Sequence, residues 1–439
     1  MAGVLLASRS VAGDDSAGAV RFVKTADSRF DRFTRAPSPA EREWMRGHYW
    51  RMRCYAPYFD SRLDWFPRAW VYKNLYGVPL DAPLVREHPE WLLHDARGKR
   101  LYVRYECHGE ACSQYAADVG APAYRAHWIA EARSLLARGY TGLFVDDVNM
   151  MLSRVSDGAG RAVPPHDERT GTAMVERDWR RYVAEFTEQI RAAFPEREIV
   201  HNAIWYAGHD DEFVRRELEV ADVLNLERGV NDTGLTGGTG PYGLETFLAH
   251  VDWLHTHGKW VVFDAGATTD EARQYGLAAY FLASRGRDGI GNDPGGTPVD
   301  WWKGYDVRLG AARGDRYRWH GVLRRDFERG LVLLNEPGAP AVTLRLDRDY
   351  AEVAGGRRSA VTLGPAQGVV LMTNITVSSS IAWRRPASTA PRPGVTQPSG
   401  GSRSPRACSS RTAPRVRGAR RGSRASRGGS RSRPPSPAA

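Results

Sequence analysis

From about residue 20 to residue 292, short runs of β-branched and aromatic residues alternate with stretches whose apolar positions recur every three or four residues. The runs predict eight strands. They fall in 20–33, Arg51-Met-Arg-Cys-Tyr-Ala-Pro-Tyr58, Ala69-Trp-Val-Tyr-Lys-Asn-Leu-Tyr76, 141–145, Glu198-Ile-Val-His-Asn-Ala-Ile-Trp205, 222–227, 259–264 and 288–292. Helices are predicted between them. One follows Pro37-Ser38-Pro39 and runs through Glu41, Trp44 and Met45. A second opens at Pro122, carries Ile129, Ala132, Leu135 and Leu136 on one face, and stops at Gly139. Four more cover 175–194, 211–220, 243–257 and 270–284. Eight strands alternating with helices over this length predict a (β/α)8 barrel, a TIM barrel, spanning 20–312, with an open doubly wound sheet as the alternative that counting leaves open.

After Asn292 the helical period fades, and Gly330-Leu-Val-Leu-Leu-Asn-Glu-Pro, Val342-Thr-Leu-Arg-Leu and Gly368-Val-Val-Leu-Met read as strands joined by turns. A small antiparallel β domain is expected over 313–373. The long excursion 77–120 has no clear element. Gly234-Leu-Thr-Gly-Gly-Thr-Gly240 reads as a mobile loop after the sixth strand.

Charge changes the picture only at one end. The formal net charge is +11, yet residues 374–439 hold 14 Arg and no Lys, Asp or Glu, which leaves 48 basic against 51 acidic groups before them. A mildly acidic body with a detached basic tail is not a basic groove, so no nucleic-acid partner is expected. The tail is rich in Ser, Pro, Gly and Arg and predicts disorder; a genuine basic extension and a shifted reading frame in a GC-rich gene both produce such a composition. Residues 1–19 read as disordered or as the remnant of a leader without a basic n-region, which leaves secreted and cytoplasmic locations both open. With no apolar stretch of 18 residues, no membrane span is predicted. Four Cys are too few for a disulfide scaffold, although Cys107 and Cys112 would close a small loop in an exported protein. No cofactor motif occurs in its required setting: no Gly-x-Gly-x-x-Gly follows a strand, and the phosphate-loop signature, His-Glu-x-x-His and the Gly-x-Ser-x-Gly elbow are missing.

In a barrel, side chains at the C-terminal ends of the strands converge on one pocket. The polar groups there are Lys73 or Asn74, then Asp146 with Asp147, Asn202, Asn225 with Glu227, Asp264, and Asn292 with Asp293. Cleaving a glycosidic bond takes one carboxylate to attack or stabilise an oxocarbenium-like centre and one carboxyl to protonate the leaving oxygen. Asp146 and Glu227 supply that pair from the fourth and sixth strands, expected to face each other across the mouth. Alternation would turn Asp146 and Asp147 to opposite sides, with Asp146 facing the cavity; an Asp pair holding a metal is the rival reading. Asp147, Asn149, Asn202, Trp205, Tyr72, Lys73 and Asp264 are expected to bind sugar hydroxyls or, for Trp205, to stack on a pyranose face.

His88-Pro-Glu-Trp-Leu-Leu-His-Asp-Ala-Arg-Gly98, Asp118-Val-Gly-Ala-Pro-Ala-Tyr-Arg125 and Gly139-Tyr-Thr-Gly-Leu-Phe-Val-Asp-Asp-Val-Asn149 occur in the order found in barrel glycosidases. On these motifs, residues 30–373 resemble a bacterial family of hypothetical glycoside-hydrolase-like proteins, distantly similar to the endo-α-1,4-polygalactosaminidases and α-galactosidases. The resemblance implies that Asp146 matches the fourth-strand catalytic Asp and Glu227 the sixth-strand carboxylate, where the α-galactosidases carry Asp. Hydrolysis of an O-glycosidic bond in a poly- or oligosaccharide, without a cofactor or metal, is the leading expectation. A non-catalytic carbohydrate-binding barrel is the alternative; neither the sugar nor the oligomeric state is legible.

Overall fold

The computed structural model describes residues 17–26, 30–227, 229–291 and 293–373. All of them belong to one compact unit, Met1–Trp383, and the second unit, Arg384–Ala439, lies outside the described residues, as do the first 16 of the 19 residues expected as a leader and the expected disordered tail.

Eight parallel strands close into a barrel: β1 (Phe22–Ala26), β2 (Tyr49–Cys54), β3 (Ala69–Asn74), β4 (Gly142–Val148), β5 (Glu198–Ala203), β6 (Val223–Leu226), β7 (Trp260–Asp264) and β8 (Gly289–Gly291). Each pairs with its sequence neighbours, and β8 returns to β1 through Phe22 and Ile290. The (β/α)8 reading is thereby established over the open sheet. Six longer helices surround it: α1 (Pro39–His48), α2 (Pro122–Leu136), α3 (Glu176–Ala193), α4 (Glu212–Val220), α5 (Leu244–Thr256) and α6 (Asp270–Ala283). Between β2 and β3 the described chain makes only a 3-10 turn, Asp60–Arg62.

Local chemistry sets the helix ends. Ser38 and Glu41 form a reciprocal capping box with Pro39 at the first helical position, and Asp211 accepts hydrogen bonds from the backbone N–H of Phe213 and Val214. Trp179, Val183, Phe186 and Ile190 recur at helical spacing along α3 and are buried against the barrel. The barrel interior is a column built from Val23, Trp70, Phe144, Val200, Val223 and Val262. Below it, Glu198 accepts hydrogen bonds from Arg51 at 2.6 and 3.0 Å and from the Trp70 indole at 2.7 Å. Gly142 has no room for a side chain, since a Cβ there would sit 2.1 Å from the Glu198 carbonyl.

The excursion after β3 holds short strands at Gly77–Pro79, Tyr102–Val103 and Gln114–Ala116, which join Val155–Ser156 in a small antiparallel sheet. Short strands without an amphipathic period are poorly visible in a sequence. Cys107 and Cys112 form a disulfide within it. The glycine-rich loop at 234–240 is tied down, because Gly238 N–H donates to the Glu336 carboxylate at 2.8 Å.

After β8 the chain forms a six-stranded antiparallel sheet from β9 (Tyr317–Trp319), β10 (Val322–Phe327), β11 (Gly330–Asn335), β12 (Val342–Glu352), β13 (Arg357–Leu363) and β14 (Gln367–Met372). It has its own apolar cluster around Val322, Leu331, Leu333 and Leu371. Its other face packs on α6, where buried Arg325 donates to the carbonyls of Phe281 and Ser284 at the helix end.

Candidate active site

The C-terminal ends of β2 to β7 surround a cavity of about 260 Å³. Asp146 and Asp147 enter it from β4, Tyr72 and Asn74 from β3, Asn202 from β5, Glu227 from the end of β6 and Asp264 from β7.

Both aspartates reach the cavity because β4 is irregular where they sit. Val145 pairs with His201 and Val148 with Ala203, so two residues of β4 stand opposite the single residue Asn202. Asp147 takes a left-handed backbone, φ 54°, that absorbs the extra residue. A bulge of this kind re-aims side chains. The expected alternation, which put Asp146 and Asp147 on opposite sides, is corrected by it.

Asp146 is held from three directions: Tyr72 Oη donates to Oδ2 at 2.5 Å, Asn202 Nδ2 to Oδ1 at 2.7 Å, and the Asp147 backbone N–H to Oδ1 at 2.8 Å. Asn202 Nδ2 also donates to Glu227 Oε2 at 2.7 Å. One nitrogen thus binds both carboxylates, and twice that length places their oxygens no more than about 5.4 Å apart. The pair does not face across the mouth as the strand count suggested; β4 and β6 flank β5, and Asn202 sits between the two acids. Asn225 Nδ2 donates to Asn202 Oδ1 at 2.7 Å and fixes its amide.

Asp147 accepts a hydrogen bond from Asn74 Nδ2 at 2.6 Å. Burial, followed by the neighbouring Asp146 charge, pushes its pKa up to about 6, against the opposing pull of Asn74 and Arg154. Burial and the Asp146 charge likewise raise the Tyr72 phenol, so it stays a donor. Tyr72 packs between Tyr55, 4.7 Å between ring centres, and Phe144 at 6.3 Å.

Three expected sugar ligands do not line this cavity. Lys73 points outside the barrel wall, where it pairs with Glu131 at 2.8 Å and lies 5.1 Å from the Trp128 ring. Asn149 is buried after the bulge, with its Oδ1 accepting from the Met151 N–H and its carbonyl from the Trp179 indole. Trp205 is buried edge-on against Phe247 beneath α5 rather than presented to a sugar. Asp293 is drawn away to Arg273 and the Tyr305 hydroxyl, and Asn292 lies outside the described residues.

A family model described as hypothetical glycosyl hydrolase family 15 matches residues 72–331, more than half of the chain. The chain belongs to that family. The span of the match to hypothetical glycosyl hydrolase family 15 takes in Tyr72, Asp146, Asn202, Glu227 and Asp264 and begins after Arg53 and Tyr55. Among solved structures, the glycoside hydrolase domain of PelA from Pseudomonas aeruginosa is similar at 16% identity, over 64% of this chain and 96% of that one, with a TM-score of 0.39. A noncanonic maltogenic α-amylase, AmyB from Thermotoga neapolitana, is similar at 12% identity over 80% and 98%, with a TM-score of 0.45. The α-galactosidase TtGalA from Thermus thermophilus is similar at 16% identity over 63% of this chain and 58% of that chain, with a TM-score of 0.41. Comparison with curated proteins gives no match.

Arg53, Tyr55, Tyr105, Gln114 and Arg154 also line the cavity and were missed from the sequence. Arg53 alternates with Arg51 and was findable by strand period. Tyr105, Gln114 and Arg154 come from the short-stranded excursion and the segment after β4, which carry no period to read.

Proposed function

We propose that this member of the hypothetical family hydrolyses O-glycosidic bonds with Asp146 and Glu227 as its catalytic pair and with retention of anomeric configuration. The single observation that carries the reading is the shared donor, Asn202, which holds the two carboxylates within about 5.4 Å. Retaining glycosidases keep their carboxyl groups about 5–5.5 Å apart, whereas inverting ones leave about 6.5–9.5 Å for a water.

Asp146, with three donors fixing its orientation at the barrel mouth, suits the nucleophile that bonds to the anomeric carbon as the leaving oxygen departs. Glu227 is exposed and, among the described residues, takes one side-chain hydrogen bond, from Asn202, which suits it to give its proton to the leaving oxygen. It then takes one from the water that releases the sugar. A second groove of about 510 Å³ adjoins the cavity and shares Tyr72, Asn74 and Gln114 with it. That continuity supports an oligo- or polysaccharide substrate over a single glycoside unit.

A glycan hydrolysis screen with wild type, Asp146→Asn and Glu227→Gln tests the assignment. Loss of turnover in both variants on a substrate the wild type cleaves is the expected result, and near-wild-type turnover in either would overturn it. Binding of glycans without turnover by any form would favour the carbohydrate-binding alternative.

A further inference from the structure

Among the described residues, no ion pair joins Asp146, Asp147 or Glu227 to Arg53 or Arg154. Asp146 takes side-chain donors from Tyr72 and Asn202, Glu227 from Asn202, and Asp147 from Asn74, all of them uncharged. Arg53 and Arg154 line the same cavity, yet among the described residues neither guanidinium forms an ion pair or a hydrogen bond, and the Nε atom of each is buried without a partner. The Arg53 guanidinium lies 4.6 Å from the centre of the Phe144 ring, on top of the apolar column that fills the barrel. Its place is therefore the cavity floor. Arg154 ends the turn Leu152–Arg154 and stands on the wall near Asp147.

In a part-buried cavity the two guanidinium groups take their acceptors from water or from a bound ligand, and a ligand oxyanion supplies both the acceptors and the opposite charge. A guanidinium presents a fork of N–H donors that matches a carboxylate or a sulfate in both charge and shape. A neutral hydroxyl offers an acceptor without the compensating charge.

We infer that Arg53 and Arg154 recognise an oxyanion carried by the sugar bound in the catalytic cavity, so that the substrate is an anionic glycan bearing a uronate carboxylate or a sulfate ester. The inference rests on the glycosidase reading of the cavity but concerns binding, so it is tested apart from turnover. Calorimetric titration of the whole chain compares D-glucuronate, D-galacturonate, glucose 6-sulfate and D-glucose, with wild type, Glu227→Gln, Arg53→Met and Arg154→Met. At least one of the charged sugars is expected to bind about tenfold or more tightly than glucose to both wild type and Glu227→Gln. That preference is expected to fall about tenfold in each arginine variant. Preference for the uronates or for the sulfate ester identifies which oxyanion is read. Arg53→Lys, which keeps the charge but not the fork, should keep part of the preference, and it serves if Arg53→Met does not fold. Equal binding of charged and neutral sugars by wild type, or an unchanged preference in Arg154→Met and Arg53→Lys alike, would overturn the inference. Failure of the glycosidase reading is seen separately, as charged-sugar binding that persists where no glycoside is cleaved.

Discussion

Asn225 donates its side-chain amide to Asn202 Oδ1 at 2.7 Å, which turns both N–H bonds of Asn202 toward the two carboxylates. A side chain so fully committed fixes a separation. Asn202→Ala is expected to lower kcat about a hundredfold, because misplacing reacting groups by an ångström has effects of that size. Asn225→Ala, acting one step further out, should lower it about tenfold. Steady-state kinetics on any cleaved substrate checks both; a kcat within a factor of two of wild type in Asn202→Ala would remove the bracket from the account.

Tyr72 donates to Asp146 at 2.5 Å while its ring packs between Tyr55 and Phe144. Tyr72→Phe keeps the ring and removes only the donor. Hydrogen bonds to charged groups contribute about 1.5–3 kcal/mol, so kcat/KM should fall about 10- to 100-fold with little change in melting temperature. A large loss of stability with unchanged turnover would mean the tyrosine is structural.

Asp147 supplies a pH dependence of known sign. Its pKa rises from the ordinary 3.8 to about 6 in the folded protein, so between those values the folded state holds a proton that the unfolded chain releases. Its contribution to stability is full below about pH 4 and is lost as pH rises through about 6. Asp147→Asn keeps a neutral side chain at every pH. Relative to wild type, it should gain up to about 2 kcal/mol between pH 4 and pH 7.5, read by denaturant unfolding at each pH. A constant difference across that range would contradict the assignment.

The barrel was readable because each of its strands is a short apolar run and the helices between them keep a 3.6-residue period. Strand-end logic also reached Tyr72, Asp146, Asn202, Glu227 and Asp264, since the end of a buried strand is where a polar residue must meet the cavity. It did not separate the two faces of a strand end: Lys73 lies on the outer face and lines the adjoining groove rather than the cavity, and Trp205 is buried against Phe247. It failed at Asn149 for a different reason: the bulge at Asp146–Asp147 shifts every later residue by one, and no composition signal marks a left-handed aspartate. Arg53 lay within a predicted strand but was read as part of its body rather than its mouth.

At the opposite end of the barrel, Glu198 accepts from Arg51 and Trp70 and is mostly buried. Burial alone would raise its pKa, but the Arg51 hydrogen bonds and charge outweigh it and hold the carboxyl below 4.5. The stability it provides is present above that value and is lost as pH falls through the lowered pKa. Glu198→Ala leaves Arg51 buried without its carboxylate and should destabilise the fold by about 3 kcal/mol at pH 7, with turnover at the far end of the barrel unaffected below its melting point. Chemical denaturation measures this directly, and a loss under about 0.5 kcal/mol would show the network to be dispensable.

The most direct test of the central claim is the anomeric configuration of the sugar first released, followed by proton NMR within the first minutes of hydrolysis, before mutarotation. With Asp146 and Glu227 bracketed by Asn202, the released sugar is predicted to carry the same configuration as the bond that was cleaved. Release of the opposite anomer would contradict the account, because an intervening water would then need a wider gap than one shared amide nitrogen allows.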